Sequence, residues 1–138
     1  MPQIKRFGVS LEKELSEKFE ALMVRKGYKN RSEAIRDLIR GDLVKKEWAR
    51  GREVAGVVTL VYDHHKRELV SHLTDIQHEF HHLIISTQHI HLDHDNCLEV
   101  IITKGKPDKV QALAERLRST KGVKYGLLNM ATTGKGLG

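Results

Sequence analysis

A single cysteine, Cys97, stands in 138 residues, so no intrachain disulfide can form. Nothing in that count argues for an oxidising compartment. No uninterrupted apolar run comes near the ~20 residues needed to cross a bilayer, and the N-terminus lacks a signal-peptide apolar core. These absences set the expectation of a soluble, cytoplasmic chain with no membrane partner. Surplus charge is also missing beyond Arg52, where the remaining 86 residues hold 10 Lys or Arg and 10 Asp or Glu. The formal charge of +6 therefore lies in the first 52 residues, with 14 basic against 8 acidic side chains. A basic segment joined to a neutral remainder points to a polyanion bound by one part only, and phosphate is the natural candidate. Nine histidines are present, all between His64 and His94. Histidine at that density raises metal binding early.

The length suits one ordinary domain or two very small ones, and two small cores imply oligomerisation. From Ile4 to Leu11 the residues alternate, with Phe7, Val9 and Leu11 on one face and Arg6, Gly8 and Ser10 on the other, which predicts a strand. Leu15, Phe19, Leu22 and Met23 recur at helical spacing up to Gly27, a residue suited to the position just past a helix end. Asn30 can cap a second helix, with Glu33 placed to reach back, and Ala34, Ile35, Leu38, Ile39, Leu43 and Val44 carry it to about Trp48. Such a segment cannot bury enough apolar surface alone, and a lone strand needs a partner for its backbone groups. An intertwined dimer meets both needs. Its antiparallel ribbon would present Arg6, Gly8 and Ser10 outward, a shape that fits the major groove, where Arg bonds guanine edges and Ser donates or accepts.

Arg6-Phe7-Gly8-Val9-Ser10-Leu11, followed by Gly27 to Asp37 with Asn30-Arg31-Ser32-Glu33-Ala34-Ile35-Arg36 inside it, resembles the ribbon-helix-helix repressors. The resemblance implies that the N-terminus of the second helix holds a DNA backbone phosphate, a role that falls to Asn30, Arg31 and Ser32. Gly8 departs from the polar side chain that such repressors usually carry at the middle reading position. Base reading is then left to the flanking Arg6 and Ser10.

After the hinge Ala49-Arg50-Gly51-Arg52 a new pattern begins. Val54 to Tyr62 predicts a strand, Leu69, Leu73, Ile76 and Phe80 a helix, and Ile84 to Leu92 with Asn96 to Lys104 a hairpin. Pro107 opens a helix containing Val110, Leu113 and Leu117, and Gly122 to Met130 supplies a last strand. The order β-α-β-β-α-β is that of a ferredoxin-like sandwich. The expected fold is α+β, with a ribbon-helix-helix DNA-binding domain over 1–48, a linker over 49–53 and a ferredoxin-like sensing and tetramerisation domain over 54–138. One sheet face would take helices and the other a partner.

His89 and His91 are two apart and share a strand face. A turn at Asp93 to Asn96 would set His91 opposite Cys97 and His89 opposite Glu99, with facing Cβ atoms about 4.5–5.5 Å apart. Two imidazoles and a thiol held nearly in one plane suit a tetragonal site for Ni(II) or Cu(II) better than a closed tetrahedral zinc site. His78 projects from the helix face opposite Leu69, Leu73, Ile76 and Phe80, so it is expected to complete the site from a neighbouring chain. His64, His65, His72, His81, His82 and His94 read as solvated surface residues.

Gln77-His78, Gln88-His89-Ile90-His91 and Asn96-Cys97-Leu98-Glu99, on a chain that begins with a ribbon-helix-helix pattern, together resemble the nickel-responsive repressor family (NikR) over essentially the whole chain. The resemblance implies a homotetramer whose ACT-type core carries four square-planar Ni(II) ions, one per subunit, at subunit interfaces between two DNA-binding dimers. It also implies that Glu99 orients an imidazole N–H. Glu33 and Asp37 match positions where relatives bind a further cation, and a capping role explains Glu33 as well, so that site stays unassigned.

The function expected is a nickel-responsive repressor of a nickel-uptake promoter, bound to a palindromic double-stranded operator, with no protein partner beyond its own copies. Raw affinity favours Cu(II) over Ni(II), so selectivity must come from geometry and metal availability. The rival reading is a ribbon-helix-helix antitoxin or repressor responding to another metal or to a small organic ligand. A metal hydrolase would need an open coordination position and a nearby base, and four protein ligands leave neither.

Overall fold

The computed structural model describes residues 2–138. Internal contacts divide the chain into a unit ending at Arg40 and a unit running from Gly41 to Gly138. In the first unit, residues 2–12 form no regular element, and Ile4, Phe7, Val9 and Leu11 are exposed. This differs from the strand expected at Ile4 to Leu11. The physical reason lies in the ladder: a ribbon strand takes its hydrogen bonds from a second copy, and one chain offers it none. Helix α1 (Lys13–Lys26) follows and ends at Gly27, whose φ of 73° is a left-handed conformation that glycine adopts without a Cβ clash. Tyr28 N–H then donates to the Met23 carbonyl at 3.0 Å and closes the last turn. Helix α2 (Arg31–Arg50) starts where the Asn30 Oδ1 accepts the Glu33 N–H at 2.9 Å. Met23 and Ala34 are the buried residues of this unit among the described residues. The helix runs through Ala49 and Arg50, which the sequence pattern places in the hinge.

The second unit has β1 (Val54–Tyr62), α3 (Arg67–Glu79), a short 3-10 turn (His81–Leu83), β2 (Ile84–His91), β3 (Cys97–Gly105), α4 (Pro107–Arg118) and β4 (Tyr125–Met130). All strand pairs are antiparallel in the order β2-β3-β1-β4, the ferredoxin-like arrangement in which β1 and β3 occupy the centre. Pro107 sits in the first turn of α4, where its missing N–H costs nothing. Strand β1 alternates strictly between buried and half-buried residues, so one face is covered by helices. On that face Val58, Leu60, Tyr62 and Ile101 pack against Leu69, Leu73 and Ile76 of α3 and Leu113 and Leu117 of α4. Each such fully buried aliphatic side chain contributes about 1.5–3 kcal/mol relative to exposure. Trp48, at the end of α2, packs on Val54 and Val110, and its indole N–H donates to the Ala131 carbonyl at 2.8 Å. The opposite sheet face is apolar and open: Ile90, Ile102, Tyr125 and Leu127 are exposed there.

Candidate metal centre

Two cross-strand rows at the β2 side of the sheet build the site. In the outer row Tyr62, Cys97 and His91 stand side by side on β1, β3 and β2, and in the next row Leu60, Glu99 and His89 do the same. The turn that sets this register is closed by Leu92 N–H donating to the Asn96 carbonyl at 3.0 Å. Asp93 reinforces it, because its carboxylate accepts the Asp95 N–H at 2.9 Å and the Asn96 amide at 3.0 Å. Alternation puts both rows on the helix-facing side, but β2 is an edge strand and His89 and His91 remain exposed.

Cys97 is a free and fully buried thiol. Burial pushes it above its ordinary pKa, the Glu99 and Asp63 carboxylates add to that, and the Tyr62 hydroxyl opposes it. Glu99 is buried as well and is held by three partners. Tyr62 Oη–H donates to its Oε1 at 2.6 Å, Gln77 Nε2 donates to Oε2 at 2.9 Å, and His89 Nε2 lies 3.1 Å from the same oxygen. Burial, then the bond to Glu99, drives the Tyr62 phenol upward, so it is a permanent donor. A neutral His89 that donated Nε2–H to this carboxylate would carry its lone pair on Nδ1.

Gln77 turns inward from α3 to reach Glu99, and His78, one residue on and about 100° around the helix, is exposed. His78 does not join the other three expected donors. The His91 ring lies on the His64 ring, centroids 4.2 Å apart and planes 9° apart. Among the described residues, the donors whose ligand atoms fall within 4.8 Å of one another are Asp63, His64 and His65, and separately His65, His94 and Asp95. The hairpin thus sets His89, His91 and Cys97 in register, while both imidazoles are turned to other neighbours. Two imidazoles and a thiol without hard oxygen ligands fit a borderline or soft metal such as Ni(II), Cu(II) or Zn(II), not Mg(II) or Ca(II). Tyr62, Gln77 and His64 were not singled out from sequence for these contacts.

Of the residues expected at DNA, Arg6 and Ser10 lie in the exposed segment before α1. Asn30 caps α2, and Ser32 is exposed in its first turn. Arg31 is bonded to Glu20, Nε to Oε1 at 2.8 Å and Nη2 to Oε1 at 2.6 Å. Exposed pairs of this kind are weak, so a phosphate can compete for the guanidinium. Asp37 accepts the Tyr28 hydroxyl, and no cation cluster includes it or Glu33 among the described residues.

The family described as the NikR C terminal nickel binding domain matches residues 55–131, and the ribbon-helix-helix protein, copG family, matches residues 5–46. This chain belongs to the NikR family. A relative from Solidesulfovibrio magneticus is 59% identical over 98% of both chains, and one from Syntrophus aciditrophicus is 52% identical over 98% of both. A third, from Nitratidesulfovibrio vulgaris, is 57% identical over 96% of both chains, and all three carry the provisional name of nickel-responsive regulator. The structure of an uncharacterized Thermotoga maritima protein superposes with a TM-score of 0.51 at 15% identity, covering 56% of this chain and 95% of that one, a likeness of fold alone. NikR membership makes the chain α+β, with an N-terminal ribbon-helix-helix unit for DNA and a C-terminal ACT-type unit for nickel, and places it among regulators, not enzymes.

Proposed function

We propose that this NikR chain is a repressor that holds one Ni(II) per subunit with His89, His91 and Cys97 of one chain and His78 of another, and in that state binds a palindromic operator that controls nickel uptake. The observation that carries the reading is the β2–β3 register, which opposes His91 to Cys97 and His89 to Glu99. Glu99 orients His89 so that Nδ1 is the donor, and the buried Tyr62 bond and the part-buried Gln77 bond hold the carboxylate in place. Nickel supplies, when bound, a link between chains. The thiol must lose its proton on binding, since the thiolate is the ligand.

The assembly is a homotetramer in the cytoplasm. Phe7, Val9 and Leu11, exposed in one chain, become the inner face of a ribbon when two copies pair, and Arg6 and Ser10 then face base edges. Asn30, Arg31 and Ser32 grip the flanking phosphate. The open apolar sheet face around Ile90, Ile102 and Leu127 joins the dimers. Metal and operator affinities are then linked reciprocally.

Titration of the purified protein with Ni(II) tests this reading. A thiolate charge-transfer band saturating at one equivalent per chain, together with operator binding that requires nickel, is the expected result. Palindrome binding that is equally tight without metal would favour the organic-ligand or antitoxin reading instead.

A further inference from the structure

Helix α2 is continuous from Arg31 to Arg50, yet the division of the chain into units falls inside it, and residues 41–50 group with the sensing unit. What holds them there is a set of contacts around Trp48, the only tryptophan of the chain. Trp48 is 6% exposed and packs on Val54 at the start of β1 and on Val110 of α4, with Val44 and Leu128 beside it. Gly56 makes room for the ring, since a Cβ there would lie 3.1 Å from both Trp48 Cη2 and Val110 Cγ1. A buried indole needs an acceptor for its N–H, and the Ala131 carbonyl takes it at 2.8 Å. Ala131 is itself tied to β1, because its N–H donates to the Ala55 carbonyl at 3.0 Å. One residue on, the Thr132 hydroxyl donates into the Glu47 carboxylate, 3.1 Å from each oxygen, and accepts the Gly134 N–H at 3.0 Å. The segment after β4 is thus a strap across the last turns of α2.

Strand β1 runs from this anchor to the metal centre: Val54 lies against Trp48 at one end, and Tyr62 stands beside Cys97 at the other. Energetic coupling between distant sites is carried by packed side chains and hydrogen-bonded elements of this kind. Residues 49–53, expected from sequence to be a free linker, have Glu47 and Trp48 fastened before them and Val54 buried after them. A joint held on both sides can pass on what happens at the sheet. We infer that Trp48, with the strap that Ala131 and Thr132 make to it and to Glu47, is a positioning device that passes the state of the metal centre along β1 into α2. The inference rests on the reading of the chain as a nickel-responsive repressor and gives that reading a route. None of these side chains offers a ligand to the metal or a contact to the operator.

Trp48→Phe/Thr132→Val removes the indole donor and the tie to Glu47 while keeping an aromatic ring, and Trp48→Ala removes the anchor outright. Leu113→Val, in the main core and outside the Trp48 cluster, supplies a loss of stability that leaves the anchor alone. Circular dichroism shows which variants are folded, and if Trp48→Ala is not, the milder pair decides. Two quantities are read: Ni(II) affinity from the thiolate band without DNA, and the ratio of operator affinity with saturating Ni(II) to that without. The anchor variants should keep the band at one equivalent per chain and lose roughly 2- to 30-fold of the ratio, the range for substitutions along a coupling route. Leu113→Val should keep both. The inference is overturned if folded Trp48→Phe/Thr132→Val retains the parent's ratio, or if Leu113→Val lowers it as far. Loss of the band in that folded pair would overturn it too, by making the anchor a support of the metal centre itself. An unaltered protein whose operator binding ignores nickel would bring down the repressor reading and this inference with it. Nickel-dependent binding in the parent that survives undiminished in the pair brings down the inference alone.

Discussion

His89 Nε2 lies 3.1 Å from Glu99 Oε2, and the carboxylate is buried between the strand that carries the imidazole and the helix that ends near His78. An Nε2–H donated to that carboxylate would leave Nδ1 for a metal, the role proposed for Glu99. Glu99→Ala should weaken Ni(II) binding 10- to 100-fold, the range for groups that orient a ligand, measured by competition with a chelator. It should also cost about 1–3 kcal/mol of stability, because the Tyr62 hydroxyl loses its acceptor inside the core. Glu99→Gln keeps an acceptor and should restore most of the stability and less of the affinity. Equal nickel affinity in Glu99→Ala and the parent would remove Glu99 from the site.

Cys97→Ala should abolish the tight nickel equivalent and its charge-transfer band while the fold persists, since no disulfide depends on the sulfur. Equilibrium dialysis decides it. One tightly held Ni(II) per chain in the variant would exclude Cys97 as a ligand.

Asp93 sets the hairpin register through Asn96 and the Asp95 N–H, and those bonds hold its carboxyl below the ordinary carboxylate range. A depressed native value means a contribution that is present above the unfolded-state pKa of about 3.9 and lost as pH falls through the native value. Asp93→Ala should therefore lower Tm at neutral pH, and the gap between the two proteins should close as pH falls below about 4. A gap that persists in strong acid would show that the side chain acts by something other than its charge.

The β2–β3 register was legible because a strand period of two and a polar turn at Asp93–Asn96 admit one pairing of His91 with Cys97, and the structure has it. The β-α-β-β-α-β order was legible for a similar reason, since each element carries its own period and punctuation. The Tyr62–Glu99–Gln77 bonds were not. They depend on the offset between β1 and β3 and on how α3 seats on the sheet, neither of which is encoded in local spacing. The stacking of His91 on His64 was hidden in the same way, joining the residues after β1 to the far end of β2. At Ile4–Leu11 the pattern of a strand is clear, yet the segment is irregular in a single chain, which offers no second strand for its ladder. The end of α2 passed the expected stop because Ala49 and Arg50 are good helix formers and Gly51 comes only after them.

Arg6→Ala should cost roughly 1–3 kcal/mol of operator affinity and relax discrimination against altered operators, as expected of a side chain that reads guanine. Arg31→Ala should weaken specific and random DNA alike and lower the salt slope by about one, as a phosphate contact does. Binding to operator and random fragments across salt concentrations separates the two. The ribbon-in-groove assignment fails if Arg6→Ala behaves like the phosphate contact.

His78 and Cys97 provide the test of a site shared between chains. His78 is exposed near the end of α3, while His89, His91 and Cys97 are in register on the hairpin. If a metal takes His78 from one subunit and the other three donors from a second, a homo-oligomer of His78→Ala or of Cys97→Ala has no complete site. Mixed oligomers do. Where a His78→Ala hairpin meets the intact His78 of a Cys97→Ala chain, all four donors are present again. An in-chain site gains nothing from mixing, since every chain still lacks one ligand. Co-refolding the two variants should therefore recover part of the nickel charge-transfer band and part of the nickel-dependent operator binding, in proportion to the statistical fraction of complementary interfaces. Verified mixed oligomers with no recovered band would rule out the shared site and, with it, the proposed coupling of metal occupancy to the geometry that reaches DNA.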